Sequence, residues 1–468
     1  MDQDRRTIAF AGFFVAIHLK DMAGLSLRII FLFQEIHYSS IMAPDKSIGK
    51  DVIMNMQPTT TTDRISLIDI LRGLAVFGIF FVNVIFLSSP DLFYQRNSVL
   101  PDESAVNQGV RLVIDMFLTG RCYPILSLLF GVGFYLFMRR AEQKGKRVFK
   151  LFSRRMLILF LIGIAHGVFF YNGDVLHQYA LLGSLLMLFY RRKDKTILRW
   201  AISILILFLV MFSLSFLQPA ESLNAGSAAN YKIAEDSAAA AIEVYHHGNY
   251  GEWLNFRIQH EVLPNLASEQ IGYPSMFAMM LLGFYFGRIG VFENMGKYTG
   301  LFRKIRNISS IVSVIVVVSF ACTRLKFFAL GAYQALLDQF LIYGCGIFLS
   351  FLYISFIVLL FQKPIGHKLL QPLKFVGQMS LTNYIMQSVV SVVFFAGLNF
   401  YAKLDFLTVT GYCLIVIAVE IGFSRWWMNR FSLGPMEWVW RRLTYGKLEQ
   451  ARPAAASVVQ TASDQRPR

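Results

Sequence analysis

Residues 164–183 read IAHGVFFYNGDVLHQYALLG, two apolar runs joined by an Asn-Gly-Asp turn. The turn predicts a tight hairpin between two membrane helices. Three ionisable side chains, His166, Asp174 and His177, lie in or beside this hairpin. Ionisable groups are costly in lipid, and they usually face a bundle interior or a wet cavity. The stretch therefore predicts a pair of membrane helices with a candidate site at their junction.

The composition of the chain indicates a membrane protein. Of its 468 residues, 55% are hydrophobic and 16% are charged, whereas soluble domains carry about 25% charged residues. Several apolar runs are long enough to cross about 30 Å of hydrocarbon, and they do not resemble the alternating strands of a membrane barrel. We predict an all-α polytopic integral membrane helical bundle. About ten spans are expected, near residues 67–88, 122–138, 156–172, 174–190, 198–217, 273–291, 307–323, 336–361, 376–398 and 406–424.

The charge of the loops predicts the orientation of the bundle. Every second loop is rich in Lys and Arg, which is typical of cytoplasmic loops. The basic loops are 139–155, 191–199, 297–306 and, more mildly, 362–374. This alternation predicts that both termini are cytoplasmic and that segments 89–121 and 218–272 lie outside. Because the net charge of +16 is distributed over loops, we predict no nucleic-acid partner.

Three regions are expected along the chain. Residues 1–63 are predicted to be an N-terminal extension and linker, residues 64–447 the transmembrane domain, and residues 448–468 a disordered tail. Within the second region, GPMEWVWRRLTYGK at 434–447 predicts an interfacial helix. The four cysteines are scattered in apolar surroundings without paired spacing, so we predict neither a metal site nor a tightly bound cofactor.

The first span carries polar residues on one helical face. Asp69 and Arg72 are spaced i,i+3 and are expected to pair. Arg72 is either a snorkelling anchor or a binding residue for a cytoplasmic phosphate. Asn83, eleven residues further, returns to the same face about 16 Å higher.

His166 and Asn83 are expected at similar depth, near the outer ends of their spans. A neutral imidazole at this depth is a workable general base, and the alternative is a packing histidine bonded to a carbonyl. Asp174 either supports His166 or caps the next helix. A direct contact between His166 and Asp174 is not assumed, since eight residues of ideal helix span about 12 Å. His177 contacts substrate or only bonds to Asp174 at i,i+3.

Other polar residues are candidates for substrate contacts. Arg121, at the outer start of the second span, either stabilises an oxyanion or binds an acidic acceptor, or it anchors the interface. Asn383 and Gln387 share a helix face and either contact substrate or form interhelical hydrogen bonds. Gly283 and Gly287 form a small-xxx-small pair, which is typical of helix packing.

Four sequence blocks resemble the signatures of the YeiB-like proteins (domain of unknown function 418). They occur in the expected order, as RISLIDILRGLAVFGIFFVN (64–83), IAHGVFFYNGDVLHQYALLG (164–183), GQMSLTNYIMQS (377–388) and GPMEWVWRRLT (434–444). The resemblance implies a multi-pass protein of the bacterial cytoplasmic (inner) membrane. More distantly, the first span is similar to that of transmembrane acyltransferases related to heparan-α-glucosaminide N-acetyltransferase.

This distant resemblance implies transfer of an acyl group, expected to be acetyl, from cytoplasmic acyl-CoA. The acceptor would be an extracytoplasmic glycan, lipid or small molecule. Asn83 matches the family's asparagine, but Tyr94 occupies the position of its histidine, so His166 is expected to supply the base. Asp174 would support His166, Asn83 would hold the reacting carbonyl, and Arg72 would steer CoA phosphate. Two alternatives are a proton-coupled small-molecule transporter using His166 and Asp174, and a non-catalytic membrane scaffold or sensor.

Overall fold

The computed structural model describes residues 65–145, 147–220, 223, 227–327 and 330–445. The predictions for residues 1–63 and 448–468 lie outside this part of the chain. Within it the regular structure is entirely helical. The prediction of an all-α polytopic membrane protein is confirmed.

The helices follow one another with short connections. The first ten are α1 (Ser66–Ser88), α2 (Asp91–Arg96), α3 (Ala105–Phe117), α4 (Cys122–Gln143), α5 (Val148–Phe169), α6 (Leu176–Leu185), α7 (Asp194–Leu214), α8 (Ser227–His247), α9 (Tyr250–Phe256) and α10 (Leu263–Ser268). The others described are α11 (Tyr273–Arg288), α12 (Thr299–Arg324), α13 (Gln334–Gln339), α14 (Gly346–Phe361), α15 (Pro364–Gln378), α16 (Ser380–Val392), α17 (Phe406–Arg430) and α18 (Pro435–Tyr445). The described π-helical segments are Arg257–Val262, Phe340–Gly344 and Val393–Gly397.

Helix length and hydropathy fit a membrane environment. In the described ranges, seven helical stretches are long and apolar enough to cross a bilayer. The predicted spans near 174–190 and 273–291 correspond to α6 and α11, which have 10 and 16 residues. The number of about ten spans and the sidedness stay predictions. We call the end with the starts of α1 and α5 the inner end, and the opposite end the outer end.

Helix α1 lies inside the bundle, whereas α7 lies at its periphery. In the most apolar 18 residues of each helix, 61% of the residues are buried in α1 but only 11% in α7. Helix α1 packs against α4, α15, α16 and α17. The contact with α15 is close because Gly73 and Gly377 each face a backbone carbonyl of the other helix, those of Leu373 and Asp69. This packing holds Asp69 and Arg72 near the centre of the inner end.

Helices α4 and α11 also approach each other closely in the core. A Cβ atom on Gly283 would overlap the carbonyl oxygen of Leu128, and one on Gly131 would overlap that of Met280. Gly287 faces the Tyr135 side chain, 3.1 Å from where its Cβ would stand. The predicted packing role of Gly283 and Gly287 is therefore confirmed. Small residues allow such close approach where lipid supplies no hydrophobic force between helices.

We expect Gly283→Ala to lower the free energy of unfolding by about 1–3 kcal/mol, because the added methyl group must push two backbones apart. Thermal unfolding in detergent measures the effect. Gly422→Ala is the matched control, since nothing lies within 4 Å of its added Cβ and alanine favours a helix. Equal melting temperatures for the two variants would contradict the close packing.

Candidate functional site

The turn after α5 folds Asp174 back against His166. The backbone N–H groups of residues 170 and 171 both donate to the His166 carbonyl at 2.9 Å, which ends the helix. The returning chain is close: a Cβ on Gly163 would lie 2.7 Å from Asp174 Oδ2, and one on Gly167 would lie 3.8 Å from Asp174 Cβ. Gly163 makes the contact sterically possible, whereas a side chain at position 167 would meet Asp174 only at ordinary van der Waals distance.

Asp174 is fully buried and joins both histidines. His166 Nδ1 lies 2.8 Å from Asp174 Oδ1. The other oxygen, Oδ2, accepts from the His177 backbone N–H at 3.0 Å and lies 3.0 Å from His177 Nδ1. The predicted i,i+3 bond is therefore confirmed, and the contact with His166 is an addition to the prediction. A buried carboxylate is tolerated only with such full hydrogen bonding.

Glu269 from the outer segment completes the cluster. Its Oε1 lies 2.8 Å from His177 Nε2, and its Oε2 accepts from Gln178 Nε2 at 2.9 Å. Tyr273 OH also donates to Glu269 at 2.7 Å. Glu269 was missed by the sequence interpretation because it lies 92 residues beyond His177, with no spacing to connect them. We call residues His166, Asp174, His177 and Glu269 the His–Asp cluster.

The Nε2 atom of His166 has no protein partner among the described residues, and it is buried. The imidazole is 2% exposed and lies against aromatic rings, with centroid distances of 5.0 Å to Tyr384 and 6.2 Å to Phe170. Tyr384 OH also faces Asp174 Oδ1 at 3.5 Å. Because Asp174 fixes Nδ1 as the protonated nitrogen, Nε2 carries a lone pair for another group.

Arg121 is completely buried. In the described structure its side chain donates hydrogen bonds to backbone carbonyls and to no carboxylate. Its Nη1 donates to the carbonyl oxygens of Thr119 and, at 2.8 Å, of Ile342 in a π-helical segment. Its Nε and Nη2 are buried without a partner in the described structure. Tyr343 lies within electrostatic range of both Arg121 and Tyr171.

Tyr171 in turn lies within electrostatic range of Asp174. The buried Tyr171 and the half-buried Tyr343 therefore lie between Arg121 and the His–Asp cluster.

Asn83 and the Asp69–Arg72 pair lie on α1, as predicted. Arg72 Nη1 donates to Asp69 Oδ1 at 3.2 Å, so the predicted pairing is confirmed. Asn83 is half-buried, and in the described ranges no hydrogen bond joins it to His166. Helix α16, which carries Tyr384, packs on α1 and thus connects the two regions. The roles of Asn83, Asp69 and Arg72 stay predictions.

Asn383 and Gln387 bond to α17. Asn383 Nδ2 donates to Ser424 Oγ at 3.0 Å, and Gln387 Nε2 donates to Glu420 Oε2 at 2.8 Å. These contacts are the interhelical bonds that were the alternative to a substrate role. Contact of Asn383 or Gln387 with substrate stays a prediction.

The site coincides with neither a metal cluster among the described residues nor the surface groove at residues 293–297. Among the described residues, no group of three His, Cys, Asp or Glu side chains is arranged to hold a metal ion. Asp174 binds each histidine through a different carboxylate oxygen. The side chains therefore do not converge on a single position where a metal ion would be held. A groove of about 600 Å³ lies elsewhere, at the inner end, lined by residues 293–297 and Gln362.

Comparison with known proteins identifies the family. YxaH of Bacillus subtilis (strain 168) is 30% identical over 406 residues, which cover 84% of this chain and 96% of the relative. The chain belongs to the YeiB-like family. The family's model, "Protein of unknown function (DUF418)", matches residues 286–447. Two further family members are the 39.9 kDa protein in the amylase 3' region of Bacillus acidopullulyticus and YeiB of Escherichia coli (strain K12).

These two relatives are 32% and 26% identical over 397 and 396 residues. The alignments cover 84% and 83% of this chain and 97% of each relative. The alignments extend over nearly the whole length of each relative. The names of the three relatives state no activity, so the family alone assigns no chemistry.

We expect Asp174→Asn to lower the free energy of unfolding by about 3 kcal/mol, because one amide cannot accept the bonds that the buried carboxylate accepts. Thermal unfolding of the purified protein in nanodiscs measures the loss. Asp405→Asn is the control: Asp405 is exposed and accepts from Thr408 N–H at 2.9 Å, a bond that asparagine keeps. An unchanged melting temperature for Asp174→Asn would contradict the network described above.

Proposed function

We propose that this protein transfers an acyl group, expected to be acetyl, from cytoplasmic acyl-CoA to an extracytoplasmic or membrane-bound acceptor. The single observation that carries the proposal is the hydrogen bonding of the two ring nitrogens of His166. Its Nδ1 is bonded to Asp174, and its buried Nε2 has no partner among the described residues. A histidine held by a carboxylate on one side and open on the other is arranged as a general base.

The charge of the His–Asp cluster supports the same role. Both ring nitrogens of His177 face carboxylates, Asp174 and Glu269. Each nitrogen must then carry a hydrogen, so His177 is an imidazolium between two anions. With a neutral His166 the cluster has one excess negative charge. A proton taken up at His166 Nε2 would leave the cluster with no net charge.

The proposed reaction has two stages. The acceptor hydroxyl or amine loses its proton to His166 Nε2 while its oxygen or nitrogen bonds to the thioester carbonyl carbon. The tetrahedral intermediate then collapses, the carbon–sulfur bond breaks, and the CoA thiolate takes the proton from His166. Asn83 would donate to the carbonyl oxygen during the first stage.

Arg121 would serve the substrate in this reaction. Its two buried nitrogens without partners among the described residues, Nε and Nη2, suit either the developing oxyanion or an acidic group of the acceptor. Arg72 would steer CoA phosphate at the inner end. A location in the bacterial inner membrane fits an acyl donor made in the cytoplasm and an acceptor outside. No tightly bound cofactor is part of the proposal.

One observation favours a second candidate, a proton-coupled transporter. The bonds from His166 through Asp174 and His177 reach Glu269 in the outer segment, as a proton relay would. Such a protein would change the pH inside sealed vesicles with substrate and would not consume acyl-CoA.

We expect His166→Ala to lower acetyl transfer about 100-fold or more, because general-base catalysis contributes at least that factor. The assay measures transfer from radiolabelled acetyl-CoA in proteoliposomes to glucosamine, phosphatidylethanolamine or a bacterial lipid extract. His367→Ala, at an exposed position, is the matched control and should keep full activity. Full activity of His166→Ala would remove His166 from the mechanism. A substrate-driven pH change without CoA release would favour the transporter.

A further inference from the structure

Three arginines from separate helices meet at the inner end of the bundle. Arg155 near the start of α5 lies within electrostatic range of Arg72 on α1 and Arg441 on α18. Arg155 and Arg72 contact α4 one turn apart: Arg155 lies over the Phe137 ring at 5.1 Å, and Arg72 Nη2 lies 3.3 Å from where a Cβ of Gly133 would stand. The three residues Arg72, Arg155 and Arg441 are called the inner arginine cluster.

Aromatic rings place two of these guanidinium groups, those of Arg155 and Arg441. Arg155 Cζ stacks 3.6 Å from the centroid of Trp440. Arg441 lies over Tyr445 at 5.9 Å, and Tyr445 packs on Phe137 with centroids 6.4 Å apart. Stacking holds the planar groups in fixed orientation while it leaves their N–H edges available.

Helix α18 is fastened in this position by its own bonds. The Glu437 carboxylate accepts from the backbone N–H groups of Leu381 and Thr382, at 2.7 and 3.2 Å, at the start of α16. Trp440 Nε1 donates to the Arg155 carbonyl at 3.0 Å. Burial raises the pKa of Glu437. The cluster is thus an organised feature of the fold.

The cluster has an excess of positive charge. Asp69 is the carboxylate that pairs with Arg72, and in the described part of the chain neither Arg155 nor Arg441 has an ion pair with a carboxylate. Three guanidinium groups with one carboxylate repel one another unless an anion joins them. Phosphate is the anion that guanidinium groups match best, through paired hydrogen bonds.

The rise of α1 and α5 determines how far the inner arginine cluster lies from His166, the candidate base. Arg72 and Asn83 are eleven residues apart on α1, and Arg155 and His166 are eleven residues apart on α5. Eleven residues rise about 16 Å. The pantetheine arm of CoA, from its diphosphate to its sulfur, is also about 16 Å long when extended, from ordinary bond lengths. A donor bound by its phosphates at the cluster therefore reaches the level of His166.

We propose that Arg72, Arg155 and Arg441 bind the phosphate groups of the acyl donor at the inner end of the bundle. The proposal rests on the proposed function and names its donor site. A lipid headgroup offers the same phosphate chemistry. The donor is favoured because Arg72 and Arg155 are half-buried against α4, whereas headgroups meet exposed arginines such as Arg154 and Arg442.

The test measures CoA affinity in phosphatidylcholine nanodiscs by calorimetry, so that it needs no acceptor. We expect Arg155→Gln and Arg441→Gln each to weaken CoA binding about 10-fold or more, since each removes a charged contact to phosphate. Arg154→Gln and Arg442→Gln are matched controls, because they remove the same charge from the neighbouring, exposed positions. Pantetheine, which lacks phosphate, should bind weakly to every variant.

A second variant separates binding from a purely structural role of Arg155. Arg155→Lys keeps the charge and loses the stacked plane, so it should retain more CoA affinity than Arg155→Gln. Equal loss in both variants, or unchanged affinity in Arg155→Gln and Arg441→Gln, would overturn the proposal. Phosphatidylglycerol retained at the cluster in native mass spectrometry, without any CoA binding, would also overturn it in favour of a lipid site.

The outcome is separable from that of the proposed function. His166→Ala should bind CoA with unchanged affinity, because the base lies about 16 Å from the cluster. CoA binding that depends on Arg155 and Arg441, with no acyl transfer to any acceptor, would support the site and contradict the transfer activity. If Arg155→Gln and Arg441→Gln transferred the acyl group with an unchanged KM for acetyl-CoA, the donor site would be contradicted and the transfer activity would stand.

Discussion

The bonds of the Asp174 carboxylate are the constraint on which the outer half of the molecule depends. A charge at 0% exposure is stable there only because α5, α6 and α16 direct His166, His177 and Tyr384 to it. Those bonds fix the angle between α5 and α6, the tautomer of His166 and the charge of His177. Through His177 they also fasten Glu269, and with it the outer segment, to the bundle.

The inner half depends on close packing and aromatic stacking. Glycines let α1 approach α15 and let α4 approach α11, so these helices form a rigid centre. Around it, α18 is fixed by Glu437 and by the stacking of Arg155 on Trp440. Helices α1 and α5 both run from this inner end to the outer end, and each carries polar side chains at both levels. The two halves are therefore connected by rigid helices of known rise.

The sequence predicts the membrane fold and the contacts between residues close in the chain, but it does not predict the contacts between distant segments. Apolar runs gave the membrane fold, and i,i+3 spacing gave the Asp69–Arg72 and Asp174–His177 bonds. The His166–Asp174 contact was not predicted, because eight residues of ideal helix would hold the two side chains apart, and the return of the chain depends on the close approach at Gly163. The contact of Glu269 with His177 was not predicted for a different reason. The two residues are 92 positions apart, and a tertiary contact between distant segments produces no recognisable spacing in a single sequence.

The position of Glu269 has a consequence for how molecules reach His166. From the outer water, entry requires breaking the bonds of Glu269 to His177 and Gln178, and the bond from Asn265 to the Asn172 carbonyl at 2.9 Å. From the side, the imidazole is screened by the rings of Phe170 and Tyr384. Phe170 can turn aside without loss of a charged contact, whereas Tyr384 OH also faces the Asp174 carboxylate at 3.5 Å. A molecule that arrives from the bilayer would then meet aromatic side chains at His166, and one that arrives from the outer water would meet the bonds of Glu269 and Asn265.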